Sequence, residues 1–119
     1  MSAKTLYQKI VDSHTVASLD EENVLLFCDL HLMNEYTSPQ AFSGLDEKDR
    51  GVLMPGQNIS VVSHIIPTHN EMPRKIADPA SSLQALNLKK NCVKHNIPLF
   101  DTNHPLQGIE HVVSPEHGM

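Results

Sequence analysis

The sequence predicts an α/β fold, an incomplete sheet of short strands with helices flanking it. Three observations lead there. Helix-patterned segments alternate along the chain with short apolar runs. Two of the helix starts, Ser38-Pro39 and Asp78-Pro79, join a capping side chain to a proline, the residue best tolerated in a first helical turn. The apolar runs end in polar pairs, Cys28-Asp29 and Ser63-His64, and functional groups gather at such strand ends in open α/β sheets.

In chain order, Thr5 to Ser13 suits an opening helix, with Leu6 and Ile10 on one face. Asp20 to Asn23 is a charged turn, and Val24 to Phe27 is a continuous apolar run, the pattern of a strand buried on both faces. Ser38 opens a second helix to about Leu45, which places Gln40 in its first turn. Asp46 to Gly56 is a loop broken by Gly51, Pro55 and Gly56, and Ile59 to Val62 is a second strand. Asn70 to Asp78 is polar and irregular. A third helix follows from Asp78-Pro79 to about His95, with Leu83, Leu86, Lys90 and Val93 at helical spacing, Asn96 as a left-handed terminator and Pro98 beyond it. Leu99-Phe100 is a third strand, His104-Pro105 a polar turn, and Ile109 to Val113 a fourth apolar segment. Ser114 to Gly118 then turns the chain.

At 119 residues this is one domain, 1–119 with no internal boundary, and the expectation is that the chain ends mid-domain. Its five aromatic residues give a core few large anchors. A net charge of −5, with Arg74-Lys75 and Lys89-Lys90 as the only basic doublets, argues against nucleic acid as a partner. No apolar run has the length of a membrane span or the shape of a signal peptide, so no membrane partner and a cytoplasmic location are expected. Cys28 and Cys92 form no Cys-x-x-Cys and are expected as free thiols.

Candidate chemistry rests on Gln40 and on three of the eight histidines, His64, His104 and His111. Each follows an apolar run or opens a helix, and neighbouring strands would bring them to one sheet edge. Imidazole is the side chain best suited to moving protons near neutral pH. By spacing alone this describes an α/β segment with a polar pocket.

Longer strings say more. Lys4 to Ile10, Asp29 to Leu32, Glu35-Tyr36-Thr37-Ser38-Pro39-Gln40-Ala41-Phe42, His64 to Thr68, Asn103-His104-Pro105 and Gln107 to Glu116 resemble, in order and over essentially the whole chain, the N-terminal part of the 3-isopropylmalate dehydratase large subunits of the aconitase superfamily. The resemblance implies a hydro-lyase that interconverts 2-isopropylmalate and 3-isopropylmalate by dehydration and rehydration in leucine biosynthesis. It implies a [4Fe-4S] cluster on three cysteines, expected downstream of Met119, so that this segment holds no metal itself. The implied partners are a small subunit and the isopropylmalate substrate. By the same resemblance Gln40 hydrogen-bonds substrate, His64 protonates the departing hydroxyl, and His111 stands near the iron-bound oxygen. A carboxylate partner for His111 is expected beyond this segment. His104 is open between structural and functional roles, and His14, His69, His95 and His117 are read as ordinary structural or surface residues.

Two positions depart from the family pattern: Ser63 where an aspartate usually precedes the histidine, and Asn34 where a histidine is usual. Because the cluster cysteines and the carboxylate partner of His111 are expected outside this segment, the isolated chain is expected to be inactive, with strand edges and apolar faces uncovered. Alternatives are a non-catalytic remnant that docks on the small subunit, one half of a split enzyme, or a piece of aconitase or homoaconitase.

Overall fold

A computed structural model describes residues 3–69 and 71–119; of the irregular stretch expected at 70–78, Asn70 lies outside the described residues. Helix α1 spans Leu6–His14. It begins at Thr5 because Thr5 Oγ1 accepts the Gln8 N–H while the Gln8 side chain accepts the Thr5 N–H, which satisfies two otherwise unpaired donors. Strands β1 (Thr15–Ser18) and β2 (Val24–Leu26) form an antiparallel hairpin. Its turn is organised by Asp20, whose Oδ1 accepts the N–H groups of Glu22 and Asn23 at 2.9 and 2.8 Å.

The hairpin corrects the first strand assignment. Val24, Leu25, Leu26 and Phe27 are all exposed, and β2 pairs only with β1, apart from the main sheet. An apolar run reports that a strand can be buried, but not which surface covers it. Here the nearest partner in sequence took the edge.

A single ion pair ties α1 to the hairpin's exit, His14 Nε2 to Asp29 Oδ2 at 3.0 Å. The Ile10 carbonyl and then Asp29 hold the His14 imidazole above its ordinary pKa, and the hydrogen bond from His14 holds Asp29 below the carboxylate range. A raised histidine stabilises below its unfolded pKa and loses that as pH rises through the folded one. A lowered aspartate stabilises above its unfolded pKa and loses that as pH falls through the folded one. The tie is thus expected at full strength between about pH 4 and about pH 6.5. Protection of the α1 amides, taken relative to intrinsic exchange at each pH, should be highest there, and Asp29→Asn should flatten the profile.

The main sheet is parallel, in the order β3 (His31–Asn34), β4 (Asn58–Val61), β5 (Leu99–Phe100). Strand β3 escapes sequence reading because polar His31 and Asn34 bracket only two apolar residues. Pairing with β4, from His31 opposite Asn58 to Asn34 opposite Val61, makes it a strand. Helix α2 (Ser38–Glu47) follows β3, and α3 (Pro79–His95) lies between β4 and β5. Buried Met33, Phe42, Val62, Leu88, Cys92 and Ile97 form the core between sheet and helices. The Cys92 thiol is pushed up in pKa by burial, and both cysteines are free, as expected.

Two helix details differ from expectation. Ser38 does not cap α2: Thr37 is the N-cap residue without a side-chain bond, and Asn34 Oδ1 instead accepts from the N–H groups of Tyr36 and Thr37. The α3 cap and terminator do hold, with Asp78 Oδ2 accepting from the Ser81 N–H at 2.7 Å and Asn96 left-handed at φ 56°. The buried face of α3, however, is Leu88 and Cys92, while Leu83, Leu86 and Val93 are exposed. Both stripes have helical spacing, and only the position of the sheet selects between them. Leu88→Ala is expected to cost about 2–3 kcal/mol through the cavity it leaves. Leu83→Ala should stay within about 0.5 kcal/mol, both read from urea unfolding midpoints.

The fourth apolar segment is also a helix, α4 (Glu110–Glu116), which absorbs the expected turn at Ser114-Pro115. Val113 is its buried contact, and a Cβ at Gly108 would meet Val113 Cγ2 at 3.2 Å. Leu6, Tyr7, Leu53, Val93 and Ile109 are more than half exposed, so apolar surface is left bare as expected. No described helix is long and apolar enough to cross a membrane.

Candidate active site

The parallel register places the exits of β3 and β4 side by side. Asn34 pairs with Val61, so Glu35 stands next to the segment Val62-Ser63-His64. Glu35 is completely buried. Its Oε2 accepts the Ser63 N–H at 3.1 Å, and its Oε1 accepts those of His64 and Ile65 at 2.6 and 3.0 Å. A carboxylate is rarely buried without partners, and three backbone donors supply them. They fix the backbone that carries His64.

The His64 ring stays accessible, its side chain 45% exposed, with Tyr36 stacked alongside at 6.3 Å between ring centroids. Its Nδ1 edge meets Ser63 Oγ at 2.9 Å and Glu110 Oε2 at 4.0 Å. Glu110, in the first turn of α4, is buried and accepts from Asn34 Nδ2 at 2.6 Å. A second brace lies below: Gln107 Nε2 donates to the Val62 carbonyl at 2.9 Å, and Arg74 Nη1 donates to Gln107 Oε1 at 2.7 Å.

Of the expected residues, His64 stands at the centre of this cluster. His111 is exposed on α4, one residue after Glu110. Gln40 is exposed in the first turn of α2, in a shallow depression shared with Tyr36, Thr37 and Gln84. The His104 ring stacks on Phe100 at 4.6 Å and its Nδ1 accepts the Leu106 N–H at 3.1 Å. His95 packs on Phe42 and His117 meets Phe100 edge-on.

Sequence reading missed Glu35, Glu110 and the part played by Asn34. A signal was there, since both acids have large apolar residues on their flanks, Met33 and Tyr36 near one, Ile109 and Val112 near the other. A cavity of about 690 Å³ opens elsewhere, between α2 and Arg50 to Leu53, and none of Gln40, His64 or His111 lines it.

The described residues do not fit a metal cluster. No group of three His, Cys, Asp or Glu among them is arranged to hold a metal ion, and one of the two cysteines is buried with its thiol favoured over the thiolate.

The exits of β3 and β4 and the first turn of α4 thus bring an accessible imidazole and two buried acidic side chains together at one edge of an α/β protein. The chain belongs to the aconitase family (aconitate hydratase), which it matches over residues 8–119. It is 48% identical over 120 aligned residues to the 3-isopropylmalate dehydratase large subunit 2 of Salmonella typhimurium, covering all of this chain and 25% of that protein. Large subunit 1 of Mannheimia succiniciproducens is 47% identical over 118 residues, 98% of this chain and 25% of the relative. The large subunit from Prochlorococcus marinus is 45% identical over 119 residues, again all of this chain and 25% of the relative. The chain thus spans a quarter of the length of these curated relatives. No solved structure matches it.

Proposed function

We propose that this chain supplies the histidine-bearing N-terminal part of a 3-isopropylmalate dehydratase large subunit, a cytoplasmic hydro-lyase of leucine biosynthesis that acts on isopropylmalate together with a small subunit. The observation that carries the reading is His64, an accessible imidazole whose backbone is held by the buried Glu35 carboxylate. In this reading residues 1–119 act as one unit of a larger aconitase-type domain.

The roles follow from the chemistry of each side chain. His64 gives a proton to the hydroxyl as it departs and takes one back on rehydration. Gln40, at the mouth of the depression beside Tyr36, donates its amide to a substrate carboxylate without adding fixed charge. His111, one residue beyond Glu110, handles the second proton. The family implies a [4Fe-4S] cluster for the full enzyme. The described residues do not fit it, so in this reading the cluster takes its ligands from other residues, and the isolated chain is inactive.

A chimera tests the reading. Residues 1–119 replace the matching quarter of the Salmonella typhimurium large subunit, co-expressed with its small subunit. Turnover of isopropylmalate and growth without leucine are the expected results. A folded chimera that loads iron and sulfide yet shows no turnover would overturn it. Ser63 and Asn34 favour a second reading, a remnant that docks on the small subunit without catalysis. Co-purification of an inactive chimera would support that one.

A further inference from the structure

Resting on the reading of His64 as the proton carrier, we propose that Glu110, anchored by Asn34, is the positioning residue that sets which nitrogen of His64 faces the substrate. Ser63, the neighbour on the Nδ1 side, carries no charge. Glu110 places one 4.0 Å from that nitrogen on a side chain only 10% exposed.

Asn34 fixes the carboxylate's position, and its own orientation is unambiguous. Its Oδ1 accepts from the Tyr36 N–H at 2.8 Å, the Thr37 N–H at 3.0 Å and the Thr37 hydroxyl at 3.2 Å. Three donors on one side leave the amide's NH2 to face Glu110, where it meets Oε2 at 2.6 Å. The acid is therefore held as a hydrogen-bond acceptor with its charge turned toward His64.

The other groups around His64 do not compete. The Glu35 carboxylate is occupied by three backbone N–H groups, and Tyr36 contributes a ring face. A negative charge beside Nδ1 favours the tautomer that carries its hydrogen there, with Ser63 Oγ accepting at 2.9 Å. Nε2 is then the open edge, with a lone pair in the neutral ring and a proton to give once the ring is charged. Glu110 acts from behind the ring, on the Nδ1 side, and touches no substrate.

The test is ¹⁵N NMR of the histidine-labelled chain, with the His64 signals assigned by their loss in His64→Gln. The Nδ1–H tautomer should predominate. Glu110→Gln keeps an amide oxygen for Asn34 and so preserves the fold, which the amide spectrum monitors. It should lower the Nδ1–H to Nε2–H ratio, by less than the about fivefold that a full unit charge on the ring would give at this distance in a water-like medium. Adding Ser63→Asp to Glu110→Gln returns a carboxylate to the same edge and should restore the ratio. An Nε2–H tautomer in the unmodified chain overturns the proposal whatever the variants do, as does a ratio unmoved by Glu110→Gln.

In the chimera, Glu110→Gln should lower kcat with KM unchanged, and the double variant should recover it. An inactive chimera would sink the functional reading and leave the tautomer result standing, so the two failures are distinguishable.

Discussion

Glu35→Ala is expected to destabilise the fold by about 4–5 kcal/mol, comparable with the whole stability of a small domain. The side chain is fully buried and accepts from Ser63, His64 and Ile65, so its removal strands three donors where water cannot replace the lost acceptor. Glu35→Gln should cost less, about 2 kcal/mol, since one oxygen remains while the other position becomes a donor facing a donor. Urea unfolding gives the totals. Hydrogen exchange at residues 63–65 localises the effect, and protection there equal to wild type in Glu35→Ala would refute the clasp.

The second large effect is on activity. In the chimeric enzyme, His64→Gln should reduce kcat by about 10²–10⁴-fold, the range for loss of a positioned acid–base group. The amide can occupy the same space but cannot exchange a proton near neutral pH. Because the ring is 45% exposed and the backbone is held by Glu35, the substitution should leave the unfolding midpoint nearly unchanged. A variant that loses activity and stability together would reassign His64 to the framework. His104→Gln should behave in that opposite way, since its ring stacks on Phe100 and its Nδ1 holds a turn.

What the sequence made legible was local or lexical. The Asp78 cap and the Asn96 terminator depend on groups within a few residues, and both stand where the sequence put them. Ordered strings such as Tyr36 to Phe42 and Gln107 to Glu116 identified the family, because they record its history independently of any contact.

The features that failed were those in which two equal local patterns compete. Leu83, Leu86 and Val93 were as regularly spaced as Leu88 and Cys92, and the apolar run of β2 looked fit for a central strand. Periodicity states which residues share a face, and it is silent on what lies opposite.

The sequence by itself determined the class of fold, the two ends of α3, the family and the histidines worth testing. The tertiary structure alone decided which face of α3 is buried, which strands pair, and that Glu35 and Glu110 are the carboxylates around His64. Those contacts join residues 29 and 76 positions apart, Glu35 to His64 and Asn34 to Glu110. They form only when three parallel strands align their exits, an arrangement of distant segments that no local pattern encodes.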